Sequence, residues 1–134
     1  STPPRSSAAS DVYKRQLLKD NIKEDKGCII NITDAMVIRG MKDYSIYSTA
    51  KGGLETLTKS LARDLAPEIT VNAVAPGAIL LPSDGSSNEE LLLSKIPLGR
   101  LGTEADIASA VYYLSKNKYI TGQILRVDGG RSLN

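Results

Sequence analysis

Apolar positions along the chain fall into blocks whose periods predict the elements. Cys28, Ile29, Ile30 and Ile32 form a short apolar run with a polar exit at Thr33 and Asp34, the pattern of a buried strand releasing into a loop. From Tyr44 to Ala66, the positions Ile46, Tyr47, Ala50, Leu54, Leu57, Leu61 and Leu65 recur at three- and four-residue steps, which predicts an amphipathic helix. Thr70 to Ala75 reads as a second strand, closed by the turn pair Pro76 and Gly77. Ser87 as N-cap with Glu90 would form a capping box before the apolar run Leu91 to Leu93, predicting a short helix there. Thr103 and Asp106 repeat that logic ahead of a helix over 105–115, with Ile107, Ala110, Val111 and Leu114 on one side. Gly122 to Val127 reads as the last strand, and Asp128, Gly129 and Gly130 as a turn using positive φ.

The first residues break this pattern. Ser1 to Gln16 is rich in Ser, Pro and Ala and shows neither helical nor strand period, so 1–16 is expected to be a non-native or disordered leader. It lacks the apolar stretch of a signal peptide. Native structure is expected from Leu17, in the tail of a helix reaching Glu24, so that 17–134 forms one domain part.

Charge says little about partners. Residues 1–26 hold six Lys or Arg against four Asp or Glu, and residues 27–134 hold eleven of each. No nucleic-acid footprint and no membrane span are visible. The single cysteine, Cys28, permits no disulfide within one chain, and a cytoplasmic setting is expected. No metal site is expected.

Chemistry concentrates in three residues. Tyr47 and Lys51 lie four apart on one helix face, and Asp34 sits where the first strand ends. A phenol with an ordinary pKa of about 10 exchanges a proton near neutrality only with help, and an ammonium one turn away can supply it. A carboxyl beside them can accept a hydrogen bond or, if its pKa is raised, donate a proton. Taken singly, each has a plain alternative: a half-buried helix tyrosine, a solvated lysine, a turn aspartate.

Together with their surroundings they have a closer counterpart. IINITD, YSTAK from Tyr47 to Lys51, LARDLAPEITVNAVAPG and ITGQILRVDGG resemble the second half of a short-chain dehydrogenase/reductase. The resemblance implies an α/β fold, the C-terminal half of a Rossmann-type doubly wound parallel sheet. It implies Tyr47 as proton donor or acceptor, with Lys51 lowering the tyrosine pKa and holding the nicotinamide ribose. It places the backbone of Pro76, Gly77, Ala78 and Ile79 beside the nicotinamide of NADPH. It makes the helix after Ser87 a flap over the substrate, and it implies a homotetramer for the full-length parent.

Position 34, thirteen residues before the tyrosine, is usually serine in that family. Aspartate there is similar to the pteridine reductase and dihydromonapterin reductase branch, as is an apolar Leu81 five residues after Pro76. A carboxylic acid suits protonation of a ring nitrogen better than a serine hydroxyl does. The expectation is therefore NADPH-dependent reduction of a pterin or folate ring by Asp34, Tyr47 and Lys51. The alternatives are a carbonyl reductase of the 3-oxoacyl-carrier-protein type and a non-catalytic association fragment. No GxxxGxG pattern occurs in the chain, so the glycine-rich turn that holds a pyrophosphate is missing, and the 134 residues alone are expected to be inactive.

Overall fold

The structure, a computed structural model, describes residues 27–80 and 88–134. The expected leader and first helix, together with Leu81 and Ser87, lie outside the described residues. Three parallel strands form one sheet in the order β1 (Cys28–Ile32), β2 (Thr70–Pro76) and β3 (Ile124–Val127). The crossovers are α1 (Ser45–Leu65) between β1 and β2, and α2 (Glu89–Ser94) with α3 (Glu104–Lys116) between β2 and β3. Two short 3-10 turns, Ala35–Arg39 and Arg131–Leu133, follow the outer strands.

The central strand explains the core. Val71 to Ala75 are all buried, because a strand with a parallel neighbour on each side and helices over the sheet has no face left for water. Val71 joins Ala62 and Leu65 of α1, and Ile69, in the core, with Ile29 and Leu61 against them. Among the described residues Thr33, Thr58 and Asn72 are the buried polar side chains. Asn72 donates to the Ile120 carbonyl at 2.9 Å and accepts from the Gln123 amide at 3.0 Å, so its amide replaces the water that these backbone groups lose.

Two expectations about burial change. β1 was expected to be buried, but Cys28 to Asn31 are only half-buried and Ile32 is 44% exposed, since among the described residues β1 pairs only with β2. The apolar face predicted for α1 also divides. Leu65 is buried and Leu54 and Leu61 are partly so, whereas Ile46 is 86% and Leu57 48% exposed and Ala50 faces outward. The face turned to the sheet instead carries Tyr47, Lys51, Glu55 and Thr58, whose polar groups bond to β1 and its exit.

Helix ends follow sequence chemistry. Thr103 and Asp106 form the expected capping box, with Asp106 N–H donating to the Thr103 hydroxyl and Thr103 N–H to the Asp106 carboxylate. The cap of α2 moves by one residue: Asn88, not Ser87, is the N-cap and accepts from Leu91 N–H at 3.1 Å. Asparagine is as good an acceptor there as serine. No helix among the described residues is long and apolar enough to cross a membrane.

Candidate active site

Asp34, Tyr47, Lys51 and Pro76 to Ile79 come to one end of the sheet. Parallel pairing sets Ile32 beside Val74 and Pro76 beside Val127, so the C-terminal ends of the three strands open together. That rim is where an open α/β sheet leaves its crevice.

Asp34 caps the 3-10 turn that follows β1. Its backbone is extended, one carboxylate oxygen accepts from Met36 N–H at 2.8 Å, and the other accepts from the Tyr47 hydroxyl at 2.8 Å. The Met36 bond fixes the carboxylate, and the carboxylate fixes the phenol. Lys51, one turn along α1, donates to the Ile32 carbonyl at 3.0 Å, a group released as β1 ends.

This arrangement reverses the expected tuning of the tyrosine. Tyr47 is pushed up to about 12, first by its partial burial and then by the hydrogen bond to Asp34 and the charge of that carboxylate. An aspartate in contact thus holds the phenol in its protonated form at neutral pH. Asp34, for its part, serves both neighbours as an acceptor.

Two further rungs join α1 to β1, and hydrophobic periodicity gave no sign of them. The Thr33 hydroxyl donates to Glu55 at 3.3 Å, and Glu55 pairs with Arg126 of β3 at 3.8 Å. Below them Asn31 donates to the Thr58 hydroxyl at 3.0 Å. The signal was available as polar residues at 47, 51, 55 and 58, steps that keep one helix face.

The loop Pro76 to Ile79 forms another wall. Gly77 N–H donates to the Val127 carbonyl at 3.0 Å, and Gly102 N–H to the Ala78 carbonyl at 2.9 Å. A Cβ on Gly77 would lie 2.6 Å from the Asp128 Cα, so glycine is required for the two turns to touch. Asp128 in turn accepts from the Gly130 and Ser132 amides, and these contacts hold its carboxyl below the usual range against the opposing effect of burial. Gly129 and Gly130 adopt positive φ, as expected.

Beside this loop lies a cavity of about 550 Å³ lined by Met41, Tyr44, Gly77 to Leu80, Leu92 and Arg131. Tyr44, on its wall, meets the Tyr47 ring edge-on with centroids 6.3 Å apart, while Asp34, Tyr47 and Lys51 do not themselves line it. Leu92 of α2 lines it, which is the side on which the flap was expected. Among the described residues no cluster of three or more His, Cys, Asp or Glu side chains is placed to hold a metal ion.

Such a fold and site define a Rossmann-type α/β oxidoreductase half-domain with a tyrosine and a lysine one turn apart at the strand ends. A family model described as enoyl-(acyl carrier protein) reductase matches residues 7–132, and the chain belongs to the short-chain dehydrogenase/reductase family. It is 42% identical over 120 residues to a 3-oxoacyl-[acyl-carrier-protein] reductase of Bos taurus, covering 89% of this chain and 51% of that protein. It is 43% identical over 114 residues to carbonyl reductase family member 4 of Danio rerio, covering 84% of this chain and 48% of the relative. An apo SCOR enzyme from Clostridium thermocellum superposes with a TM-score of 0.78 at 36% identity, over 89% of this chain and 47% of that one. The chain therefore spans about half the length of the relatives it matches. Their names are those of oxoacyl and carbonyl reductases, which favours the carbonyl alternative over the pterin reading drawn from Asp34.

Proposed function

We propose that this chain is the proton-delivering half of an NADPH-dependent carbonyl reductase acting on a 3-oxoacyl thioester. The observation that carries the reading is the Tyr47 phenol, held protonated and 2.8 Å from Asp34 at the strand ends. The names of the similar proteins supply the substrate class.

The residues suit the nicotinamide end of a dinucleotide. Gly77 brings backbone against Asp128 with no side chain between, and the Lys51 ammonium, with one donor on the Ile32 carbonyl, has two more to offer ribose hydroxyls. Pro76 to Ile79 would lie along the nicotinamide. When bound, NADPH supplies a hydride to the carbonyl carbon. Tyr47 gives its proton to the carbonyl oxygen, so the product is an alcohol, and solvent restores the phenol. A raised pKa keeps that proton in place before the hydride arrives. Asp34 aims the hydroxyl by accepting from it. Lys51 offsets the negative charge left on the phenolate.

Asp34 itself favours a second reading, reduction of a pterin or dihydropterin ring. A carboxylate beside a developing alkoxide is repulsive, whereas beside a ring nitrogen that gains a proton it is attractive. Supplying each substrate with NADPH to the chain joined to a cofactor-binding half separates the two. Turnover of the 3-oxoacyl thioester, with Tyr47→Phe lowering it by roughly 100-fold or more, is the expected result; turnover of dihydropterin alone would replace the first reading with the second.

The parent enzyme is inferred to be a cytoplasmic homotetramer. The outward stripe Ile46, Ala50 and Leu57 of α1 supports association, because an apolar helix face of this kind is disfavoured in water.

A further inference from the structure

Behind Tyr47 and Lys51, one row of residues crosses all three strands. Thr33 N–H donates to the Val74 carbonyl at 2.9 Å, which carries the β1–β2 pairing one step past Ile32 and Val74, and Ala75 is paired with Arg126. Paired positions of a parallel sheet share a face, so Thr33, Ala75 and Arg126 point to one side. Ala75 is fully buried and has only a methyl group, which leaves room for a longer side chain to reach both of its neighbours. Glu55 of α1 does so. One of its oxygens accepts from the Thr33 hydroxyl at 3.3 Å, and the other lies 3.8 Å from the Arg126 guanidinium.

Net stability does not account for this arrangement. Thr33 is 4% exposed and the Glu55 side chain 13%, so the carboxylate has given up most of its water for one long hydrogen bond and one loose ion pair. The Arg126 Nε is buried and has no acceptor among the described residues. In a pair so incompletely answered, attraction gains about as much as desolvation takes away, and apolar residues of similar volume would hold the helix to the sheet as well. What the pair adds is a fixed geometry.

That geometry is shared with the candidate site. Thr33 stands between Ile32, whose carbonyl accepts from Lys51, and Asp34, whose carboxylate accepts from Tyr47. Arg126 precedes Val127, whose carbonyl accepts from Gly77. We infer that Glu55 is a positioning residue: by gripping Thr33 and Arg126 together, it sets the acceptors of Tyr47 and Lys51 at one spacing from the loop Pro76 to Ile79. That this spacing serves proton transfer rests on the reductase reading; the linkage itself stands on the residues named.

The test cuts the link at Thr33, away from the charges. Asp34 touches the Tyr47 phenol, Lys51 stands one turn along α1 and Tyr44 meets the ring; Thr33→Val keeps all three and removes only the hydroxyl. In the 134-residue chain with tyrosine isotopically labelled at Cζ, the Tyr47 resonance is identified by its loss in Tyr47→Phe. Its midpoint should lie at about 12 in the wild type and move toward 10.0 in Thr33→Val, because the contribution of Asp34 relaxes while that of burial stays. Thr33→Ser keeps the hydroxyl and should keep the wild-type midpoint. Should Thr33→Val unfold, Glu55→Asp, which retains the charge but is a methylene too short for Thr33, should give the same movement. An unmoved midpoint in the folded variant would overturn the inference and leave Glu55 a stabilising rung only.

In the chain joined to a cofactor-binding half, Thr33→Val should lower kcat about tenfold with KM changed by less than about twofold, since a misplaced donor slows the chemical step without removing a substrate contact. A loss confined to KM would overturn the positioning role. Absence of turnover in wild type and variant alike, with the midpoint moved, would reject the reductase reading and keep the linkage.

Discussion

Tyr47 and Asp34 form a contact whose strength depends on the protonation of the phenol. Because the folded phenol is pushed up to about 12 from 10.0, the stability it contributes is complete below pH 10. That stability is lost as pH rises from 10 through 12. Asp34→Asn removes the charge and keeps an acceptor, so ultraviolet titration of the phenolate should show the Tyr47 midpoint falling toward 10. A midpoint unmoved by the substitution would assign the shift to burial alone. Tyr47, Lys51 and Asp34 were recognisable in the sequence because spacing on a helix and the end of a strand are local properties. Their mutual tuning was not, since it depends on which oxygen of Asp34 turns to the phenol and which to Met36.

At the level of elements, polar rungs fasten α1 to the end of β1, while only its last turns, through Leu61, Ala62 and Leu65, pack apolar side chains in the core. Ile46, Ala50 and Leu57 satisfy the helical period but face outward, so a period locates a helix without stating which stripe meets the sheet. Glu55 is the rung with most at stake, as it accepts from Thr33 and pairs with Arg126. Glu55→Ala leaves both partners unanswered and should cost about 1–3 kcal/mol in denaturant unfolding. In a double-mutant cycle with Thr33→Val the two losses should be less than additive. The caps were more legible, because a capping box is written within four residues. Thr103→Ala should cost about 1 kcal/mol. The Asp106 carboxyl is lowered to about 2, chiefly by its hydrogen bond to Arg100 and then by Thr103. Stability from the ionised carboxylate is therefore present above pH 3.8 and is lost as pH falls from 3.8 toward 2, which thermal melts of wild type and Arg100→Gln should show converging in acid.

For the whole molecule, the parallel α/β order followed from alternating strand and helix patterns, and the family from motifs spread along the chain. The half-exposed state of β1 could not be seen that way. An apolar run records the environment the strand is suited to, whereas its exposure depends on what pairs with its other edge. Replacing Ile46 and Leu57 with Lys should shift the complete enzyme toward smaller species in sedimentation with little change in monomer melting, because both side chains face away from the core. An unchanged sedimentation profile would remove α1 from the subunit contact.

The meeting of Gly77 with Asp128 also orders events in time. The loop expected to lie along the nicotinamide is clamped by the end of β3, through the bond from Gly77 to Val127 and the close approach at Asp128. On a translating ribosome Tyr47 and Lys51 emerge early, yet the wall opposite them stays without its support until residues 127–130 have cleared the exit tunnel. The nascent chain thus carries the proton donor proposed here well before it can position anything to receive the proton.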